Sequence, residues 1–382
     1  MHSFRSIACC SPFNAEFPES SVCIIPIMSS ISPLRTIPLR LFRRLIIKFT
    51  PYSVVAGSRS GLWARIHYTI VNRSFIREQR SFLAGLVSYD TSLHSPSENM
   101  VLLRRNAHRL EKGILMKPRR VPFAVSYIDE TVAAFVVAVS AQSSAVASVE
   151  IAWANDVLVE YFDIHVHEES VREIKSVFES VQLKGRHGSP RIPYRRDLSI
   201  LPSVSFDALR ALAKRRRSVR WFLPRPVERH LLDQALEVGA LGPSACNRQP
   251  FQFRFFDDHD LVQKIIGISY GLAGYGHQVP VVAVVVGQQR HFFDERDRHL
   301  IYIDASLAVM GFLFGLETLG LSSCCVNWPD IEAHEREMTA LLGLSSDERP
   351  IMLIALGYPD PTGMVANSTK KSLNQLRTYN FE

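Results

Sequence analysis

An α+β fold is predicted for the C-terminal half of this 382-residue chain, and three observations predict it. Two apolar runs, Pro280–Gly287 and Ile351–Gly357, carry no charge and have the length of strands buried on both faces. Phe251, Phe253 and Phe255 alternate with Gln252 and Arg254, the period of a half-buried strand. Segments between these runs repeat their apolar residues at helical spacing, so helices and strands interleave in a layered domain. Before residue 200 the periodicity is helical only, which predicts a mostly helical N-terminal module.

The length suggests two or three domains, and 47% hydrophobic content is that of a chain with a real core. A formal charge of +7 fits an anionic ligand or an acidic surface without demanding nucleic acid. Six cysteines form no framework: Cys9-Cys10 and Cys324-Cys325 are adjacent, while Cys23 and Cys246 stand alone. No CxxC spacing or Cys/His zinc pattern occurs, so no metal site is expected and a reducing cytoplasm is the default location. The Cys23–Met28 apolar patch is short and follows Glu16 and Glu19, unlike a secretory signal. No uninterrupted apolar run approaches the ~18 residues that span a bilayer.

Residues 1–35, rich in Ser, Pro and Cys, read as a disordered segment or as an over-extended reading frame with Met28 as the start. Leu39–Phe49 has two readings: a cationic amphipathic helix on a membrane surface, or, the favoured one, an ordinary packed helix with snorkelling cations. Residues 73–92 read as a polar helix. A helix from Leu103 is expected to end at Gly113 with Lys112 in its last turn, followed by basic residues at Lys117, Arg119 and Arg120. This Arg-rich stretch is read equally as a phosphate or acidic-partner site and as a helix face paired with acids; His108 within it reads as structural. Tyr127–Ser148 is apolar, with Asp129 and Glu130 at its start, and Val171, Ile174, Phe178 and Val181 mark a further helix. Residues 36–200 are therefore assigned to the helical module and its linker, the linker being Lys184–Ser199.

The second domain is placed at 205–382. Ser205 caps a helix reaching about Arg215, and Pro226 suits the first turn of the next, whose buried stripe includes Leu232 and Ala235. Leu261, Val262, Ile265 and Ile266 mark another helix. Ile303–Leu319 is apolar almost all round, which places it in a core or a subunit interface, and Gly311 and Gly315 permit close approach.

Arg216, Arg217, Ser218 and Arg220 combine guanidinium forks with a hydroxyl, the donor set an anionic phosphate requires, although such a run is commonly a solvated face. The turn Pro243–Pro250 offers Ser244 and Asn247 beside a helix end; a plain helix stop explains both as well. Cys246 has no base beside it and reads as a turn residue. No Walker loop, G-x-G-x-x-G turn or HExxH motif is present, so the anion site suits a mononucleotide.

The Arg216–Arg220 segment, the Pro-Ser-x-x-Asn-x-Gln-Pro turn at 243–250, the helix–glycine–strand around Gly320 and the late lysines resemble, in this order, the FMN-dependent nitroreductase family. The resemblance covers roughly residues 205–382. It implies a three-layer α+β sandwich that forms a homodimer through its long helices, with FMN at the interface. Arg216, Arg217, Ser218, Arg220 and Lys370 or Lys371 would hold the phosphate and the pyrimidine edge. Pro243, Ser244 and Asn247 would orient the ring, often from the neighbouring subunit, and Asn327 and Trp328 would border its reactive N5 edge. Relatives often have Gly where Trp328 stands. The implied activity is hydride transfer from NAD(P)H through the flavin to a small-molecule acceptor, and no catalytic side chain is named. A non-catalytic flavin-binding or scaffold protein is the alternative, as is a flavin dehydrogenase or oxidase on a biosynthetic intermediate. The segment Leu103–Gly113 (LRRNAHRLEKG) resembles N-terminal extensions of nitroreductase-like proteins from bacterial polysaccharide gene clusters.

Overall fold

The computed structural model describes residues 52–94, 100–141, 145–183 and 189–380. The expectations for residues 1–35 and Leu39–Phe49, and the start of the 184–199 linker, lie outside them. The chain divides into two compact units, Met1–Arg73 and Ser74–Glu382. In the first, helix α1 spans 52–59, and α2 (Gly61–Ile66) runs into a π-helical turn, His67–Val71.

The second unit opens with α3 (Ile76–His94), which is less polar in place than in sequence, because Phe82 and Tyr89 are buried. Gly85 lets it lie against Gln289: an added Cβ would come within 2.6 Å of that side chain. Four helices follow and share one core: α4 (Val101–Leu115), α5 (Ile128–Ser140), α6 (Ala145–Ile164) and α7 (Arg172–Val181). Leu110, Ile128, Phe135, Leu158, Tyr161 and Phe178 lie at its centre. Two details differ from expectation. Gly113 does not cap α4; it sits inside the helix, where a side chain would collide with the Phe123 ring at 2.2 Å. Tyr127–Ser148 holds α5 and the start of α6, with residue 141 leaving the first helix.

Helix α8 (Phe206–Arg215) starts as expected: the Ser205 hydroxyl accepts the Ala208 N–H at 3.1 Å. Helix α9 (Arg229–Ala240) starts later than Pro226 suggested, because Glu228 takes the N-cap position and Pro226 stays in the approach. The sheet strands are β1 (Phe251–Phe256), β2 (Val281–Gln288), β3 (Ser322–Asn327) and β4 (Glu348–Gly357), ordered β1-β2-β4-β3 and antiparallel throughout. Helices α10 (His259–Ile268), α11 (Leu300–Thr318) and α12 (Glu332–Leu342) complete the layers.

The period-two alternation of β2 builds two cores. Val282, Val284 and Val286 face α10 and α12 through Ile265 and Met338. Val281, Ala283 and Val285 face α9 and α11 through Ala235, Phe312 and Leu316. The result is the expected three-layer sandwich. Gly311 and Gly315 serve the α9–α11 crossing: a Cβ on Gly315 would stand 2.8 Å from the Ala235 Cα, and one on Gly311 3.0 Å from the Val238 carbonyl. Helix α11 is long and apolar enough to cross a membrane by composition, yet this face is packed inside the sandwich. Its other face leaves Ile303, Leu307 and Met310 exposed.

Candidate functional site

The Arg-rich segment leaves α8 and runs along the free edge of β3. Ser218 bridges Ser323 in parallel, and the Val219 N–H donates to the Ser323 carbonyl at 3.0 Å. Further on, Phe222 bridges Pro359, and the Leu223 N–H donates to the Tyr358 carbonyl at 2.8 Å. Gln278 fixes the middle: its side-chain oxygen accepts the Phe222 N–H at 2.7 Å and its amide donates to the Arg220 carbonyl. With the backbone so occupied, the side chains of Arg216, Arg217, Ser218 and Arg220 are the variable elements. Arg220 lies 5.9 Å from the Tyr275 ring centroid. Arg216 Nε is buried without a hydrogen-bond partner among the described residues, as is Ser323 Oγ nearby in the chain pairing. A desolvated guanidinium N–H lacking an acceptor is costly unless an anion supplies one, so this atom fits a phosphate oxygen. Buried Glu317 pairs with Arg215 at 3.5 Å, and burial raises its carboxyl pKa against the pull of Arg215 and Arg216.

The turn after α9 is built differently. Cys246, Asn247 and Gln249 all hold left-handed backbone conformations, φ +53°, +52° and +50°. Such strain persists only where surroundings impose it. Here Asp304 of α11 accepts the Ala245 N–H at 2.9 Å, Ser244 Oγ accepts the Gln249 N–H at 3.1 Å, and Arg104 of α4 donates to the Asn247 carbonyl at 3.0 Å. Arg104 also pairs with Glu150. Burial raises the Asp304 pKa, while the Ala245 N–H acts in the opposite direction. Arg248 is buried and pairs with Asp297 at 3.0 Å. Pro243 opens the turn at the surface.

Asn327 ends β3 with its residue exposed. Trp328 is buried in the core beneath the sheet, and its indole N–H donates to buried Glu335 at 2.8 Å. Glu335 in turn accepts from Arg349 at 3.2 Å. The indole is therefore committed to the core, and only the backbone of Trp328 is available to a ligand. Lys370 and Lys371 lie in an exposed C-terminal arm, and among the described residues neither forms an ion pair.

One chain does not bring these groups together. The Arg216 segment lies at the β3 edge, near the C-terminal end of α11 through Arg215 and Glu317. Ser244 and Asn247 lie where the chain enters β1, the opposite edge, near the N-terminal end of α11 through Asp304. From residue 304 to 317 a helix rises about 20 Å. Two supporting residues escaped the sequence reading: Arg104, whose partner is 143 positions away, and Asp304, hidden in an apolar run. A carboxylate inside an otherwise apolar helix is the signal that could have exposed Asp304.

The family model described as Nitroreductase family matches residues 213–273 and 270–358. A Methanothermobacter thermautotrophicus protein provisionally named NADH dehydrogenase/NAD(P)H nitroreductase is 28% identical over 155 residues, 40% of this chain and 78% of that protein. Iodotyrosine deiodinase 1 of Pongo abelii is 24% identical over 257 residues, 59% of this chain and 84% of its own. Among solved structures, an FMN-dependent nitroreductase of Clostridium difficile aligns with TM-score 0.38 and 22% identity, over 44% of this chain and 98% of its own. A nitroreductase family protein of Streptococcus pneumoniae aligns with TM-score 0.40 and 18% identity, over 45% and 100%. The C-terminal region of this chain, residues 213–358, is a domain of the nitroreductase family.

Proposed function

We propose that the protein is a cytoplasmic, homodimeric FMN-dependent oxidoreductase that takes hydride from NAD(P)H and reduces a small-molecule acceptor. The observation that carries this reading is the buried, unpartnered Nε of Arg216 on a segment whose backbone is pinned by Ser323, Gln278 and Tyr358. FMN, when bound, would supply the hydride-accepting chemistry. The chain's residues hold and orient it. Arg216, Arg217, Ser218 and Arg220, with Lys370 or Lys371, bind the phosphate and the pyrimidine edge. Ser244 and Asn247, introduced by Pro243, position the ring from the partner subunit. Backbone N–H groups at Asn327 and Trp328 offset negative charge on the reduced ring. The 20 Å rise along α11 favours a two-chain site, since pairing the exposed stripe of Ile303, Leu307 and Met310 against its copy in antiparallel sense joins opposite ends.

The test is the visible spectrum of the purified protein, followed by heat release of any chromophore. Absorption near ~370 and ~450 nm with about one FMN per chain supports the reading, as does rapid bleaching by NADH or NADPH in stopped flow. A colourless protein that takes up no added FMN overturns it.

A further inference from the structure

The described part of the first unit, residues 52–73, has its polarity reversed. Helices α1 and α2 fold back on each other around Ser60, and their contact is made of small and polar residues. A Cβ on Gly57 would lie 3.3 Å from the Ala64 Cα, and Ser53 Oγ stands 2.9 Å from His67 Nδ1, with Ser53 and His67 both buried. The large apolar side chains point outward: Tyr52 is 75% exposed, Leu62 67%, Ile70 60% and Trp63 45%, with Val54 and Val55 half-exposed. A helical pair stabilised by water would bury the second set and expose the first. Small residues at the helix contact, a polar bond between the helices and aliphatic and aromatic groups outside are the arrangement that a lipid environment favours.

Charge identifies the occupant of that outer surface. Between Glu19 and Glu78 the chain has no Asp or Glu, whereas Arg and Lys occur nine times, Arg59, Arg65, Arg73 and Arg77 among the described residues. Covering the hairpin with a second copy, or with the preceding residues of the same chain, would press like charges together. An anionic lipid surface offers apolar depth and opposite charge at once. An eight-residue helix rises about 12 Å, far below the ~30 Å of a bilayer core, so the hairpin is suited to lie in the interface and not to span it. We infer that residues 52–71 form an interfacial hairpin that docks the protein on anionic lipid bilayers. This inference is independent of the redox reading.

The full-length protein is floated with phosphatidylcholine vesicles and with vesicles in which about 30% of the lipid is phosphatidylserine. Binding to the anionic vesicles is expected, weakening with salt. Arg59→Gln with Arg65→Gln should reduce it roughly thirtyfold, and Leu62→Ser with Trp63→Ser at least about tenfold. Brominated lipids should quench tryptophan emission in the unaltered protein, and Trp63→Phe should abolish that quenching. This conservative variant decides the matter even where the serine variant misfolds. Three results overturn the inference: no flotation with anionic vesicles; equal binding by the hairpin variants; or loss of a dimer in the serine variant with lipid binding unchanged, which would make a second copy the occupant.

Discussion

The two halves of the candidate site are made by opposite means. The Arg216–Phe222 segment has no left-handed residue, is stitched to β3 and to Tyr358, and holds Arg216 Nε buried without a partner among the described residues. The Ser244–Gln249 turn, in which Arg248 Nε is likewise buried without a partner among the described residues, has its backbone strained, and two side chains from α11 and α4 hold it in place. The first half is tied down by strand pairing at its own edge of the sheet. The second is shaped by distant parts of the fold, so its geometry can be altered from outside the domain.

Acid should separate them most strongly. His291, beside the turn, has its pKa lowered to about 3, first by burial and then by Arg290 and Arg104. Its neutral form is favoured on folding, so that stability is complete above the unfolded value near 6.5 and is lost as pH falls toward 3. The loss should be of the order of a few kcal/mol, and His291→Asn should flatten it in urea titrations at pH 7 and 4. Next, Arg216→Ala should weaken FMN binding roughly a hundredfold while leaving the ligand-free melting temperature unchanged or raised. A lower melting temperature would show that the guanidinium is structural, and the contrast between the halves would collapse.

Asp304→Ala should cost about 2 kcal/mol by leaving the Ala245 N–H unpaired, measured by denaturant unfolding. Arg104→Ala should cost about 1.5 kcal/mol and accelerate amide exchange across 244–249 without changing exchange at 216–222. Equal acceleration in both segments would mean that α4 supports the whole domain and not the turn. The smallest effect belongs to Cys246→Gly, which relieves a left-handed residue and should stabilise the chain by at most about 1 kcal/mol, with some loss of FMN affinity.

What the sequence made legible was whatever depends on local pattern. The uncharged runs of β2 and β4, the alternating phenylalanines of β1 and the Ser205 cap all follow from neighbours in sequence. Gly113 was misread because its constraint is the Phe123 ring, delivered by the loop that follows. Arg104 looked like one cation in a run, and only the fold shows that its Nε reaches a carbonyl in another domain layer. Trp328 suggested a ligand face until its indole met Glu335, a pairing that no spacing rule announces. Arg216 itself was visible by type, but the burial of its Nε without an acceptor was not.

The separation of the two halves along α11 has a consequence in mass action. If each complete pocket takes one half from each chain, cofactor binding and chain pairing are the same equilibrium seen from two sides. Flavin occupancy then rises with protein concentration, and flavin in excess strengthens the dimer by the same free energy. Dilution would empty the pocket without any change in the residues that line it, so the abundance of the chain would itself set the fraction able to react.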